Sequence, residues 1–259
     1  MQTTVFHIAQ RLKTDGLTLK AYDTVESTNV LCKAAAAEGA PEGTVILADS
    51  QTGGKGTRGR SFFSPSGTGL YMSVLLRPQG TAEQALRITT AAACAVCEAI
   101  EAVSARRPQI KWVNDIYCDE KKVCGILAEA VLDPKTARPE AVVLGIGINV
   151  LMPQEGFPAE LNDTAAAVFE AGGDRAALAA AVLDAFFARY AALDDPQIAQ
   201  EYRRRSLLDG RTVTVTTPDG DREATVRGID EQCRLCVRYT DGEEAVLSSG
   251  DVTLHRFRE

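Results

Sequence analysis

Residues 53–60 read Gly-Gly-Lys-Gly-Thr-Arg-Gly-Arg, placing Lys55, Arg58 and Arg60 within six positions of a chain that is acidic elsewhere. Successive backbone N–H groups in such a loop can cradle an anion, and the three cations add charge to the cradle. A solvated basic hairpin is the other reading. Gly54, Gly56 and Gly59 satisfy G-x-G-x-x-G, and Gly54 to Ser61 nearly satisfies the P-loop pattern, with Arg60 where lysine belongs. Both motifs aim a helix N-terminus at phosphates. Here Pro65, Gly67 and Gly69 follow and then a strand pattern, so neither motif applies. The HRD and DFG elements of protein kinases are absent.

A second group is Lys111-Trp112-Val113-Asn114-Asp115, a cation, the single tryptophan, an amide and a carboxylate around one turn. Taken alone it is equally turn chemistry, with Trp112 in the core and Lys111 exposed. Seven residues beyond Asp115, Lys122 stands where a strand enters the core, either snorkelling outward or pointing at a bound anion. Gly145-Ile-Gly-Ile-Asn149 ends an apolar strand with two glycines that let a ligand press against backbone. Ser27-Thr28-Asn29 is an N-cap signal or a set of polar ligand contacts.

Composition removes several classes. Only His7 and His255 are present, each near a terminus, which disfavours Ser-His-Asp, Cys-His and multi-His metal chemistry. The seven cysteines include two C-x-x-C pairs, Cys94/Cys97 and Cys233/Cys236; in a chain without a secretion signal they read as small buried hydrophobes, not metal ligands. A net charge of −7 argues against a general nucleic-acid or membrane-surface binder. The longest apolar run, 141–152, is shorter than the roughly 20 residues a spanning helix needs. With no leader pattern, the expected location is cytoplasmic.

The elements that must position these groups follow from periodicity. Strands are expected over 17–25, 44–49 and 69–77, and a helix over 30–38 stopped by Gly39. Thr81 and Gln84 form a capping box opening a long helix. Strands over 109–113, 116–118, 123–132 and 141–150 follow, with Asn114-Asp115 as the tight turn between the first two. Helices are expected over 164–171, 174–193 and 196–205. After Gly210 short β runs separated by Asp-Gly turns predict a small barrel or sandwich. The fold class is α+β: a mixed, largely antiparallel sheet with packed helices, and a small C-terminal β-barrel. Domains are expected at 1–205 and 206–259.

Five motifs in this order (Ser27–Asn29, Gln51–Arg60, Lys111–Asp115, Lys121–Leu127 and Gly145–Asn149) resemble the bacterial biotin protein ligases, in the short form without a DNA-binding domain. The resemblance spans 17–150 strongly and the β-rich tail more weakly. It implies a class II synthetase-like catalytic domain that joins biotin and ATP into biotinyl-5′-adenylate. Biotin then passes to a lysine of a biotin carboxyl carrier protein. On this resemblance Ser27, Thr28, Asn29 and Gln51 hydrogen-bond biotin, and Gly54, Lys55, Gly56 and Thr57 close over it. Gly125 and Gly147 let it lie against the sheet. Lys122 bridges the biotin carboxylate and the α-phosphate, with Arg60 and Asp115 beside it as catalytic groups. Arg58, Arg60, Phe62, Lys111, Trp112, Asn114 and Asn149 serve ATP. Magnesium enters with the phosphates, and no metal ligand is certain. Cys124 is a packing residue.

Two departures from the family pattern stand out. Lys55 and Thr57 replace two loop arginines, so the adenylate is expected to escape more readily unless Arg58 substitutes. The first motif at residue 27 leaves no room for a helix-turn-helix domain, so no DNA partner is expected, nor a membrane. A homodimer paired through sheet edges is one assembly the family uses. A lipoate-type ligase of the same fold and a non-catalytic biotin sensor are the competing functions.

Overall fold

A computed structural model gives the fold of residues 2–78, 83–132, 139–217 and 220–254. After α1 (Gln2–Ala9), β1 (Thr18–Val25), α2 (Thr28–Ala37) and β2 (Thr44–Gln51) form a βαβ unit, with the two strands parallel and Thr18 opposite Thr44. A helical crossover is what parallel neighbours require. β3 (Gly69–Leu76) and α3 (Glu83–Val103) follow, then β4 (Gln109–Lys111), β5 (Asp115–Cys118), β6 (Lys121–Leu132) and β7 (Pro139–Asn149). These strands make one sheet in the order β1-β2-β3-β7-β6-β5-β4, antiparallel except for β1–β2.

Strand alternation sends side chains to two faces. On one face Leu70, Met72, Val74, Leu144, Ile146 and Ile148 share a core with the Ala- and Cys-rich side of α3 and with α4 (Arg175–Tyr190). On the other, Ile46, Leu75 and Val143 pack with Cys32 and Ala36 of α2. Along that second face the alternation then meets Ser73, Gly125, Gly145 and Gly147, so the sheet surface sinks into a trough beside the start of α2.

The helix expected over 164–171 does not form. Lys122 N donates to Thr164 O (2.8 Å), Ala166 N to Lys122 O (2.9 Å), and Val168 N to Asn149 O (2.9 Å). The Ala165–Ala167 run has helical propensity, but its backbone groups are paired along the ends of β6 and β7, and tertiary pairing outweighs propensity. Asp115 already belongs to β5, opposite Lys111, so the turn consists of residues 112–114 and not Asn114-Asp115 alone. The capping box at Thr81 lies outside the described residues.

α5 (Pro196–Arg204) begins under Asp195, whose carboxylate accepts from Gln197 N (2.9 Å). The C-terminal part is one antiparallel sheet in the order β11-β10-β9-β8-β12: β8 (Thr212–Thr217), β9 (Gly220–Ile229), β10 (Leu235–Tyr239), β11 (Glu244–Leu247) and an unexpected β12 (Asp251–Leu254). It is joined to the large sheet through Ile110, which donates to Arg205 O (2.7 Å) and accepts from Leu207 N (2.8 Å). Cys94 and Cys97 are buried in the α3 core, where desolvation pushes the Cys94 thiol up to about 12. Among the described residues no helix is long and apolar enough to cross a membrane.

Candidate active site

The trough continues into a cavity between the sheet and the glycine loop. Gly125, Gly145 and Gly147 contribute to its floor, and Lys55, Gly56, Thr57, Arg60 and Phe62 line it from the glycine loop. One end is polar and nearly neutral; the other is charged.

The polar end is built on the start of α2. Ser27, Thr28 and Asn29 are all buried. Ser27 stands at the N-cap in extended backbone (φ −157°, ψ 135°), yet its side chain makes no capping hydrogen bond. Thr28 N donates to Gln51 Oε1 (2.8 Å), and Gln51 Nε2 donates to Ser64 Oγ (2.9 Å). Ser73 Oγ, fully buried on β3, lies 2.7 Å from Thr28 Oγ1 and 2.6 Å from Asn29 Oδ1. Asn29 Nδ2 donates to Glu129 Oε2 (2.8 Å), whose other oxygen accepts from Lys33 Nζ (2.6 Å). Burial works against the Glu129 carboxylate, but the bonds from Lys33 and Asn29 prevail and hold its pKa below the ordinary value.

At the charged end Lys122 Nζ lies 2.7 Å from Asp115 Oδ1. The backbone of Lys122 is held on both sides by residues 164–166, which fixes where its side chain starts. Lys111 faces Asp115 across the β4–β5 pair. Burial depresses the Lys111 pKa; Asp115 opposes this, and Lys122 and Arg60 add to it. Lys122, Lys111 and Arg60 thus gather positive charge around Asp115, a field that suits an anionic ligand. Arg60 also forms an ion pair with Asp251 of β12, tying the glycine loop to the C-terminal sheet.

The loop is a small hairpin: Gly56 N donates to Arg60 O (2.7 Å) and Phe62 N to Gly54 O (2.9 Å). A Cβ on Gly54 would sit 2.4 Å from Phe62 O, so only glycine allows this closure. The Phe62 ring lies over Gly147, where a Cβ would come within 2.8 Å of Cε1.

Residues 22–149 match the biotin/lipoate A/B protein ligase family, and residues 210–254 match the biotin protein ligase C terminal domain. The chain is 35% identical to the biotin--[acetyl-CoA-carboxylase] ligase of Mycobacterium tuberculosis, over 87% of this chain and 85% of that protein. It is 33% identical to the bifunctional ligase/repressor BirA of Bacillus subtilis, over 92% of this chain and 75% of that protein. The chain belongs to the biotin protein ligase family. Its fold is similar to a biotin protein ligase from Aquifex aeolicus solved in complex with biotin and ATP, at a TM-score of 0.79 and 28% identity, covering 93% of this chain and 99% of that one.

Of the residues expected at the site of such a ligase, the cavity gathers Ser27, Thr28, Asn29 and Gln51 at the polar end and Asn114, Asp115 and Lys122 at the charged end. Gly125 and Gly147 lie between them, with Lys55, Gly56, Thr57, Arg60 and Phe62 along the loop. Five others stand outside its lining. Arg58 is exposed at the loop tip with φ 56°, and Gly54 is buried behind Phe62 O and Ser64. Lys111 pairs with Asp115 across β4–β5. Asn149 Nδ2 donates to Ala166 O (3.2 Å). Trp112 is buried between the two sheets, its Nε1 donating to Cys233 O (3.0 Å).

Sequence reasoning gave Gly145 only as one of two glycines at a strand end, and missed Ser73 and Glu129. Gly145 and Gly147 differ by two, the strand period, so both were candidates for the same face. Ser73 is the one small polar residue inside an otherwise apolar strand, two positions from Tyr71, which lines the cavity, and it is itself fully buried. Glu129 continues the Gly125–Leu127 face by one more step.

Proposed function

We infer that this chain is a biotin protein ligase: it activates biotin with ATP to biotinyl-5′-adenylate and transfers biotin to a lysine of a biotin carboxyl carrier protein. The observation that carries the reading is one cavity with hydrogen-bonding groups at one end and Lys122 with the glycine loop at the other. A bicyclic urea suits the polar end, and its acyl chain would run over the glycine floor toward Lys122. A biotin carboxylate oxygen attacks the α-phosphorus, an O–P bond forms, and pyrophosphate leaves. Negative charge grows at the phosphoryl oxygens, and fixed cations at Lys122 and Arg60 lower that barrier without a histidine. The carrier amine then attacks the biotinyl carbonyl, loses its proton, and AMP departs.

Asp115, with Asn114 beside it, is the carboxylate available to magnesium, and Asn149 lies nearby on β7. Among the described residues no group of three His, Cys, Asp or Glu could cage a metal ion. Magnesium would enter with the nucleotide, held mainly by its phosphates and water. Residues 1–205 act as the catalytic domain and 206–259 as the smaller C-terminal domain. The net charge of −7 accords with a protein partner instead of DNA or a membrane; the work is placed in the cytoplasm, and a homodimer would pair through the edge strand β1 of the large sheet.

Biotin-dependent exchange of pyrophosphate into ATP, followed by labelling of a carrier domain, tests the reading. Competition with lipoate and octanoate decides the acyl group: lipoate supporting exchange better than biotin overturns biotin as substrate. Biotin binding without exchange leaves a sensor and overturns the enzyme.

A further inference from the structure

We propose that Asp251, the first residue of β12, is a positioning residue for Arg60: it aims the guanidinium at the charged end of the cavity, so that the C-terminal sheet takes part in binding the nucleotide phosphates. The inference rests on the ligase reading above and extends it to a residue outside the cavity lining.

The glycine loop needs such a hold. Its base is closed by backbone bonds, Phe62 N donating to Gly54 O (2.9 Å) and Gly53 N to Glu26 O (2.8 Å). Further out, Gly56 N donates to Arg60 O and Arg60 N to Thr57 O, so the backbone of the tip bonds only to itself. Among the described residues, the Arg60–Asp251 ion pair is the one side-chain hydrogen bond or ion pair that joins residues 55–60 to another element. Asp251 is a firm anchor. Its backbone pairs with Thr216 in the β8–β12 ladder, and its side chain is only 24% exposed. The preceding Gly250 lies against Trp112, where a Cβ would stand 3.7 Å from Cζ3. Trp112 begins the turn that brings Asn114 to the cavity. The end of the C-terminal sheet therefore touches both walls of the charged end, the loop through Asp251 and the 112–114 turn through Gly250.

The pair does little as a stabiliser, because the Arg60 side chain is 57% exposed and water screens an ion pair that open. What it fixes is direction. Arginine presents its N–H donors in a rigid planar fork; the Asp251 carboxylate engages Nη2, which leaves Nε and Nη1 for a phosphate. Unheld, a long side chain on a glycine-rich tip has many rotamers to lose when nucleotide binds, and the pair removes that loss in advance. A carboxylate that merely competed with phosphate for Arg60 would act in the opposite sense, and its removal would tighten ATP.

The test is calorimetric titration of the full chain with magnesium-ATP and, separately, with biotin, alongside limited trypsin cleavage of the ligand-free protein. Asp251→Ala should weaken ATP about tenfold, the loss of one charge-assisted contact, and leave biotin within about twofold of wild type. Asp251→Glu keeps the charge and should bind ATP within about threefold of wild type. In an Arg60→Ala background the Asp251→Ala change should move the ATP Kd by less than about twofold, because the residue it aims is gone. Trypsin should cut within residues 55–60 about fivefold faster in Asp251→Ala than in the wild type, since the tip has lost its tether. Unchanged or tighter ATP binding in Asp251→Ala overturns the proposal, as does an equal loss in the Arg60→Ala background or an equal weakening of biotin. If Asp251→Ala does not fold, Asp251→Asn, which keeps the shape and loses the charge, is read on the same criteria. A wild type that binds neither ATP nor biotin overturns the ligase reading itself; the cleavage rates then decide the tether, and equal rates overturn it.

Discussion

A methyl group at Gly145 should damage the site and the fold together. A Cβ there would stand 2.2 Å from Asn29 Oδ1 and 2.9 Å from Asn29 Cγ. A flexible surface side chain would swing away from such a clash, but Asn29 is buried and held at both ends of its amide, by Ser73 and by Glu129. Moving it gives up one neutral hydrogen bond, about 1 kcal/mol, and one to a charged group, about 1.5–3 kcal/mol. Gly145→Ala should therefore lose about 3 kcal/mol of stability, a fall in Tm of roughly 6–12 °C for a chain of this size. Because Asn29 starts α2 beside Ser27 and Thr28, the biotin contacts shift with it. Two misplaced hydrogen bonds at about 1.4 kcal/mol each weaken biotin about 100-fold. At Gly147 a Cβ would come within 2.8 Å of Phe62 Cε1 and occupy the cavity floor, so Gly147→Ala perturbs the site without touching the Asn29 contacts. Thermal unfolding and biotin titration of both variants read the two effects. A Gly145→Ala protein that binds biotin within about threefold of wild type would refute the claim that Asn29 is locked.

Lys122→Ala should abolish biotin-dependent pyrophosphate exchange while the fold persists, because the backbone contacts to 164–166 do not need the side chain; activity within tenfold of wild type, about 1.4 kcal/mol in barrier, removes Lys122 from catalysis. Thr57→Arg should slow release of preformed adenylate, since Thr57 lines the cavity while Arg58 is exposed at the tip; an unchanged off-rate counts against it. Trp112→Phe should cost about 1 kcal/mol of stability through the lost bond to Cys233 O and leave biotin affinity unchanged; a weakened biotin site would return Trp112 to the ligand contacts. Glu101, whose pKa is lowered first by its hydrogen bonds from Arg205 and held there against burial, contributes stability that is present above its ordinary pKa of 4.5 and is lost as pH falls through the depressed value. The stability gap between wild type and Glu101→Gln in urea should therefore shrink on acidification from about pH 6 to about pH 3; a gap that widens over this range reverses the sign.

What could be read from the residues alone were the groups whose types are unusual for their surroundings. Lys122 at the edge of an apolar strand and the cationic glycine loop are costly to place unless an anion meets them, and both line the same cavity. The αα-connected stretch expected over 164–171 was misread because three alanines carry a local propensity, whereas the partners that override it, Lys122 and Asn149, are remote in the chain. Trp112 shares a turn with Asn114, next to Asp115 at the start of β5, and the family resemblance placed it with ATP. The hairpin instead sends the indole to the seam with the C-terminal sheet, because β4 and β5 part around residues 112–114 and Trp112 Nε1 finds its partner on Cys233. The polar relay was the least legible part for the same reason. Ser73, Gly145 and Leu127 are neighbours only through the β3–β7–β6 register, with Ser73 opposite Gly145 and Gly145 opposite Leu127. Strand alternation announces which residues of one strand share a face, but not which residue of another strand stands beside them. The contacts that run from Glu129 through Asn29 to Ser73 are therefore written in register, and register emerges only once the sheet is assembled.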